Sequence, residues 1–133
     1  MAAGSSRGSS RTYGFASNVW NTGLNNKPRE RRNVTPEAKV KKKVRAVLDK
    51  LGCYYHMTVT GGFGKSGAPD FIVCYRGAFI GIECKAGNGK TTALQEKNLQ
   101  QIGVAGGSAF VINEANLSSL EELIIVAGER KWL

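Results

Sequence analysis

Two carboxylates and an ammonium recur at a spacing that could serve phosphate chemistry. Asp70 follows Pro69 at the head of an apolar run, Phe71-Ile72-Val73-Cys74-Tyr75, and Glu83-Cys84-Lys85 closes the next, Ala78-Phe79-Ile80-Gly81-Ile82. Both runs are rich in β-branched and aromatic residues and only Arg76-Gly77 separates them, which reads as two strands and a tight turn. With a two-residue loop, Tyr75 faces Ala78 and Asp70 faces Glu83. Directly opposed side chains of an antiparallel pair lie on one face, about 5 Å apart. Lys85, two residues further, emerges on that face too. Side-by-side carboxylates repel unless a proton or a cation lies between them. A divalent ion on a few carboxylates, with water positions left open, is the usual arrangement for Mg²⁺. Such an ion polarises a phosphoryl oxygen and activates a water. Lys85 could orient that water or neutralise charge building on the phosphate. The same residues also fit a plainer assignment, with Asp70 a turn residue and Glu83 and Lys85 an exposed cross-strand pair.

Two further residues stand where helices could deliver them. Thr35-Pro36-Glu37 opens a helix in which Thr35 caps and Pro36 takes the first helical position. Val40, Val44, Val47, Leu48 and Leu51 define its buried face and Gly52 ends it. Glu37 falls on the edge of that apolar stripe, where an acid should be paired or functional. A carboxylate also suits a helix N-terminus, which explains its place along the helix but not its side. Thr91 or Thr92 begins a second helix reaching about Ala105, with Leu99 and Ile102 on its buried side. Gln95 points to the core edge there, and also completes a capping box with Thr92. The two roles are compatible.

The remaining elements follow in order. Cys53 to Thr60 reads as a first strand, residues 61–68 as a glycine-rich loop and residues 86–90 as a second loop. Ser108 to Asn113 is a fourth strand. A last helix runs from Ser118 to Ala127 with Ser118 and Glu121 as a capping box, buries Leu120, Leu123, Ile124 and Ala127, and stops at Gly128.

The 133 residues suffice for one domain with a real core. Residues 1–33 are poor in core formers and carry Arg7, Arg11, Lys27, Arg29, Arg31 and Arg32 against the single acid Glu30. They read as a disordered basic arm, either a nucleic-acid contact or a solubilising tail, ahead of a folded domain over 34–133. The net charge of +9 and a pI near 9.8 make a polyanion the natural partner. Lys39, Lys42 and Lys43 on the first helix, with Lys65, Lys90, Arg29, Arg31 and Arg32, are the candidate phosphate contacts. On the helix they also read as a solvated face. No apolar run spans a bilayer and the first thirty residues lack a signal-peptide core, so a cytoplasmic protein is expected. Cys53, Cys74 and Cys84 show no metal-ligand spacing, and the two in strand-like runs are expected to be buried. The lone His56 is expected to be a strand residue.

Gly64-Lys65-Ser66 and Gly89-Lys90-Thr91 each imitate the end of a nucleotide-binding P-loop. That motif needs a glycine five residues earlier, where Val59 and Cys84 stand, so no nucleotide cofactor is expected.

A helix with Glu37, a strand, a strand headed by Pro69-Asp70, a strand ending in Glu83-Cys84-Lys85, a helix with Gln95, a strand and a helix: this order resembles the PD-(D/E)XK nuclease superfamily. Within it the chain looks similar to the VRR-NUC family in its compact, standalone phage form. The resemblance covers roughly Thr35 to Ala127. It implies an α/β core of order α-β-β-β-α-β-α, with a mixed four-stranded sheet flanked by helices. It also implies cleavage of DNA phosphodiesters with Mg²⁺, or Mn²⁺ as a substitute. Asp70, Glu83 and the Cys84 backbone carbonyl would be metal ligands, and Lys85 would position or activate the water. Glu37 would reach the metal directly or through water, and Gln95 would support the site. Standalone members look like homodimers acting on branched DNA such as four-way junctions. The alternative is a non-catalytic, basic nucleic-acid-binding protein on a nuclease-like fold.

Overall fold

The structure is a computed structural model and describes residues 34–59 and 66–130. The arm, with Arg29, Arg31 and Arg32, lies outside the described residues, as does Lys65 of the glycine-rich loop. Helix α1 spans Pro36–Lys50. The Thr35 hydroxyl accepts from the Ala38 N–H at 3.2 Å, satisfying one of the donors that a helix start leaves open. Val40, Val44 and Leu48 recur every four residues and are buried. Gly52 takes φ 68°, and the Cys53 N–H then returns to the Leu48 carbonyl at 3.0 Å, which closes the helix end.

Four strands form one mixed sheet in the order β1-β2-β3-β4: Tyr54–Met57, Phe71–Tyr75, Ala78–Cys84 and Ser108–Ile112. The first two pairings are antiparallel, and β3 with β4 is parallel. Tyr75 pairs with Ala78, so the β2–β3 loop is Arg76-Gly77 as expected. Both loop residues have positive φ, 49° and 77°, the backbone of a turn whose twist matches the flanking strands. The parallel step from β3 to β4 needs a crossover, and helix α2, Ala93–Val104, supplies it.

The alternation of the strands divides the sheet's two faces. Phe71, Val73, Ile80, Ile82, Cys84 and Ile112 point to one side, where they are fully buried with α1 and with Leu120 and Ile124 of helix α3, Leu120–Arg130. Each such large side chain contributes about 1.5–3 kcal/mol by leaving water. On the other side α2 comes so close to β3 that a Cβ on Gly81 would lie 2.6 Å from Ile102 Cδ1.

Several expectations are corrected. Strand β1 ends at Met57, short of the expected end at Thr60, which lies outside the described residues; past Met57 the Thr58 N–H donates to the Asp70 carbonyl at 2.9 Å and the Thr58 hydroxyl to the Pro69 carbonyl at 2.6 Å. Cys74 is exposed, because its position alternates away from the core, whereas Cys84 is buried. In α2, Leu99 and Ile102 are only half-buried. The buried residue is Asn98, whose amide donates to the Leu94 carbonyl at 2.8 Å. The last helix starts at Leu120 after a 3-10 turn over Leu117–Ser119, and Glu121 pairs with Lys50 at 3.0 Å. It also continues through Gly128, which is buried. A Cβ there would meet the Tyr75 ring at 2.7 Å, so the glycine serves close packing and not helix termination.

Candidate active site

The pairing of Phe71 with Ile82 sets Asp70, one residue before β2, opposite Glu83 near the end of β3. Both are buried: Asp70 is 8% exposed and Glu83 only 2%. Asp70 does not merely stand beside the ladder. Its Oδ2 accepts the Cys84 N–H at 2.8 Å and so replaces the main-chain acceptor that a longer β2 would have offered. The next amide, that of Lys85, turns the other way to the Ile112 carbonyl. In an extended strand a residue's N–H and C=O leave on the same side. The Cys84 carbonyl is therefore directed to Asp70's side of β3.

Glu83 Oε1 is held twice, by Gln95 Nε2 at 2.7 Å and by Lys85 Nζ at 3.3 Å. Gln95 reaches it from the first turn of α2 while also closing the capping box: its Oε1 accepts the Thr92 N–H at 2.9 Å, and its own N–H donates to the Thr92 hydroxyl. The two sequence roles of Gln95 thus occur together. Glu83 Oε2 is buried and has no hydrogen-bond partner among the described residues. Burial raises the Glu83 pKa, and the neighbouring Asp70 charge raises it further; Lys85 opposes both without cancelling them.

Glu37 joins this group through Lys41, one turn further along α1. Lys41 Nζ lies 3.2 Å from Glu37 Oε1 and 3.2 Å from Asp70 Oδ1. Burial acts to lower the Lys41 pKa, yet the charges and hydrogen bonds of Asp70 and Glu37 outweigh it and the net shift is upward. The signal was present in the spacing, since Glu37 and Lys41 stand four residues apart on one helix face. The spacing could not show that Asp70 completes the bridge.

The Cys84 thiol is pushed up to about 12, by burial first and by the Asp70 charge second. It stays protonated and offers the site its backbone, not a thiolate. Lys39, Lys42 and Lys43 are exposed along α1, and Lys90 is exposed in the loop before α2. That loop is tied down by the Gly87 N–H, which donates to Glu114 Oε2 at 2.9 Å.

The donors suit a hard divalent cation. Among the described residues no three acidic, histidine or cysteine side chains gather as a metal cage. Two carboxylates and a carbonyl match an ion that keeps several waters, as Mg²⁺ does. The unpartnered Glu83 Oε2 is the atom most in need of one.

A mixed four-stranded sheet flanked by helices, with charged residues collected at the end of its central hairpin, defines the chain as an α/β fold of nuclease type. A solved structure described as a VRR_NUC domain matches it with a TM-score of 0.58 and 27% sequence identity, over 66% of this chain and 96% of that one. That match and the element order support membership of the VRR-NUC family. Eight solved chains match in all. No family model matches the sequence, and no curated protein matches it.

Proposed function

We propose that this protein is a metal-dependent DNA endonuclease with Asp70, Glu83 and Lys85 at its centre. The observation that carries the reading is Glu83, a buried carboxylate with one oxygen pinned by Gln95 and Lys85 and the other left without a partner. Burying a charge so incompletely is costly unless a cation completes it. Asp70, Glu83 and the Cys84 carbonyl would hold Mg²⁺, or Mn²⁺ in its place. The bound ion supplies polarisation of the scissile phosphoryl group and a water of lowered pKa. The chain's own residues do the rest. The Cys84 N–H fixes Asp70, and Gln95 fixes Glu83, so neither carboxylate has to reorganise. The Lys85 ammonium, half-buried at 3.3 Å from Glu83, neutralises charge building on the phosphate and orients the attacking water. Lys39, Lys42, Lys43 and Lys90 contact the DNA backbone.

The substrate is branched DNA such as a four-way junction, cut by a homodimer acting in phage replication or repair in the host cytoplasm. The chain's basic charge supports contacts to the phosphate backbone, which carry no sequence information. No helix among the described residues is long and apolar enough to cross a membrane. A purely binding protein would have no use for the incompletely paired Glu83. Incubation with linear, flapped and cruciform DNA tests the reading. Cleavage is expected with Mg²⁺, strongest on the branched forms, and absent with EDTA. Equal cleavage in EDTA would refute metal dependence, and equal rates on all three would refute structure selectivity.

A further inference from the structure

We propose that Lys41 is a built-in cation that takes the place of a second metal ion, so that the site binds a single divalent ion per chain. This rests on the nuclease reading and refines it. Phosphodiester hydrolysis is carried out elsewhere either by one ion or by two held about 4 Å apart between shared carboxylates. Here the shared position is already filled. The Lys41 ammonium lies 3.2 Å from Asp70 Oδ1 and 3.2 Å from Glu37 Oε1, bridging the two acids as a metal would. Asp70's other oxygen is taken by the Cys84 N–H. The open acceptor lies on the far carboxylate, Glu83 Oε2. The cationic complement is therefore asymmetric: protein-supplied beside Asp70 and Glu37, lacking beside Glu83.

Charge counting agrees. Glu37, Asp70 and Glu83 oppose the two ammoniums of Lys41 and Lys85, which leaves the cluster one negative charge in surplus. One divalent ion and one phosphodiester bring it to neutrality. A second divalent ion would leave two surplus positive charges in a partly buried site, an arrangement disfavoured at low local dielectric. Lys41 is a positioning residue in this account: it holds Asp70 and Glu37 and excludes an ion without touching the water.

The test counts ions on the full-length protein without DNA, by calorimetric titration with Mn²⁺ and by electron paramagnetic resonance of the free ion. Wild type is expected to bind one Mn²⁺. Lys41→Met removes the bridge, brings Glu37 and Asp70 into mutual repulsion, and should bind two. Lys41→Arg keeps the charge and should return the count to one. Circular dichroism of each variant checks the fold. Two ions on wild type, or one on Lys41→Met, would overturn the proposal while leaving the nuclease reading intact. Mn²⁺ binding that Asp70→Asn does not diminish would instead refute the nuclease reading and the proposal with it.

Discussion

Gln95 performs two tasks, and Gln95→Glu separates them. A glutamate serves the third helical position of a capping box as well as a glutamine does. Its charge is also favoured at a helix N-terminus, by about 0.3–1 kcal/mol. Toward Glu83 the substitution does the reverse. A donor 2.7 Å from Oε1 becomes a second carboxylate. Losing a hydrogen bond to a charged acceptor costs about 1.5–3 kcal/mol, and two carboxylates in contact add repulsion. The metal-free protein should lose about 2–4 kcal/mol near pH 8, with each kcal/mol moving Tm by about 4–8 °C in a domain of this size. The pH dependence has a definite sign. The Glu83 pKa is already raised by burial and by Asp70, and the new acid raises it further. The penalty is therefore full above the raised value and fades as pH falls through it and Glu83 takes up a proton. Thermal unfolding in EDTA, near pH 8 and near pH 5, reads both effects, and Mg²⁺ should narrow the gap between variant and wild type. A variant within about 2 °C of wild type near pH 8 would show that the Gln95–Glu83 bond does not hold the site.

Lys85→Ala should reduce the cleavage rate by about 10²–10⁴ with little change in Mn²⁺ affinity; parallel loss of both would place Lys85 in ion binding and not in the reaction. Replacing Lys39, Lys42 and Lys43 together by Gln should reduce the slope of log K against log salt for DNA by about 2–3, and an unchanged slope would remove α1 from the DNA interface. Gly128→Ala gains about 1 kcal/mol of helix propensity, but its Cβ would lie 2.7 Å from the Tyr75 ring. Overpacking of this kind costs about 1–3 kcal/mol, so a net loss is expected in urea unfolding, and a gain would contradict the close approach.

The parts of the fold that are local in the chain were legible. The Arg76-Gly77 turn fixes the β2–β3 register, and that register alone brings Asp70 opposite Glu83. Thr35 and Thr92 cap their helices because the donors they satisfy lie only three residues away. The parts that depend on distant partners were not legible. Gly128 looks like a helix stop until Tyr75 is placed against it. Lys41 looks like one of many lysines until β2 delivers Asp70 to it from 29 positions downstream. Asn98 is buried although it is polar, because the Leu94 and Ser66 carbonyls accept from its amide.

The most direct test is cleavage of a four-way junction by Asp70→Asn beside wild type, with DNA binding measured in parallel. The variant keeps the shape of the side chain but loses one charge of the pair. Wild type should cut with Mg²⁺, and the variant should bind the junction as tightly or more tightly while cutting it about a thousandfold more slowly or not at all. Cleavage by Asp70→Asn at the wild-type rate would contradict the assignment of this carboxylate pair as the centre of the reaction.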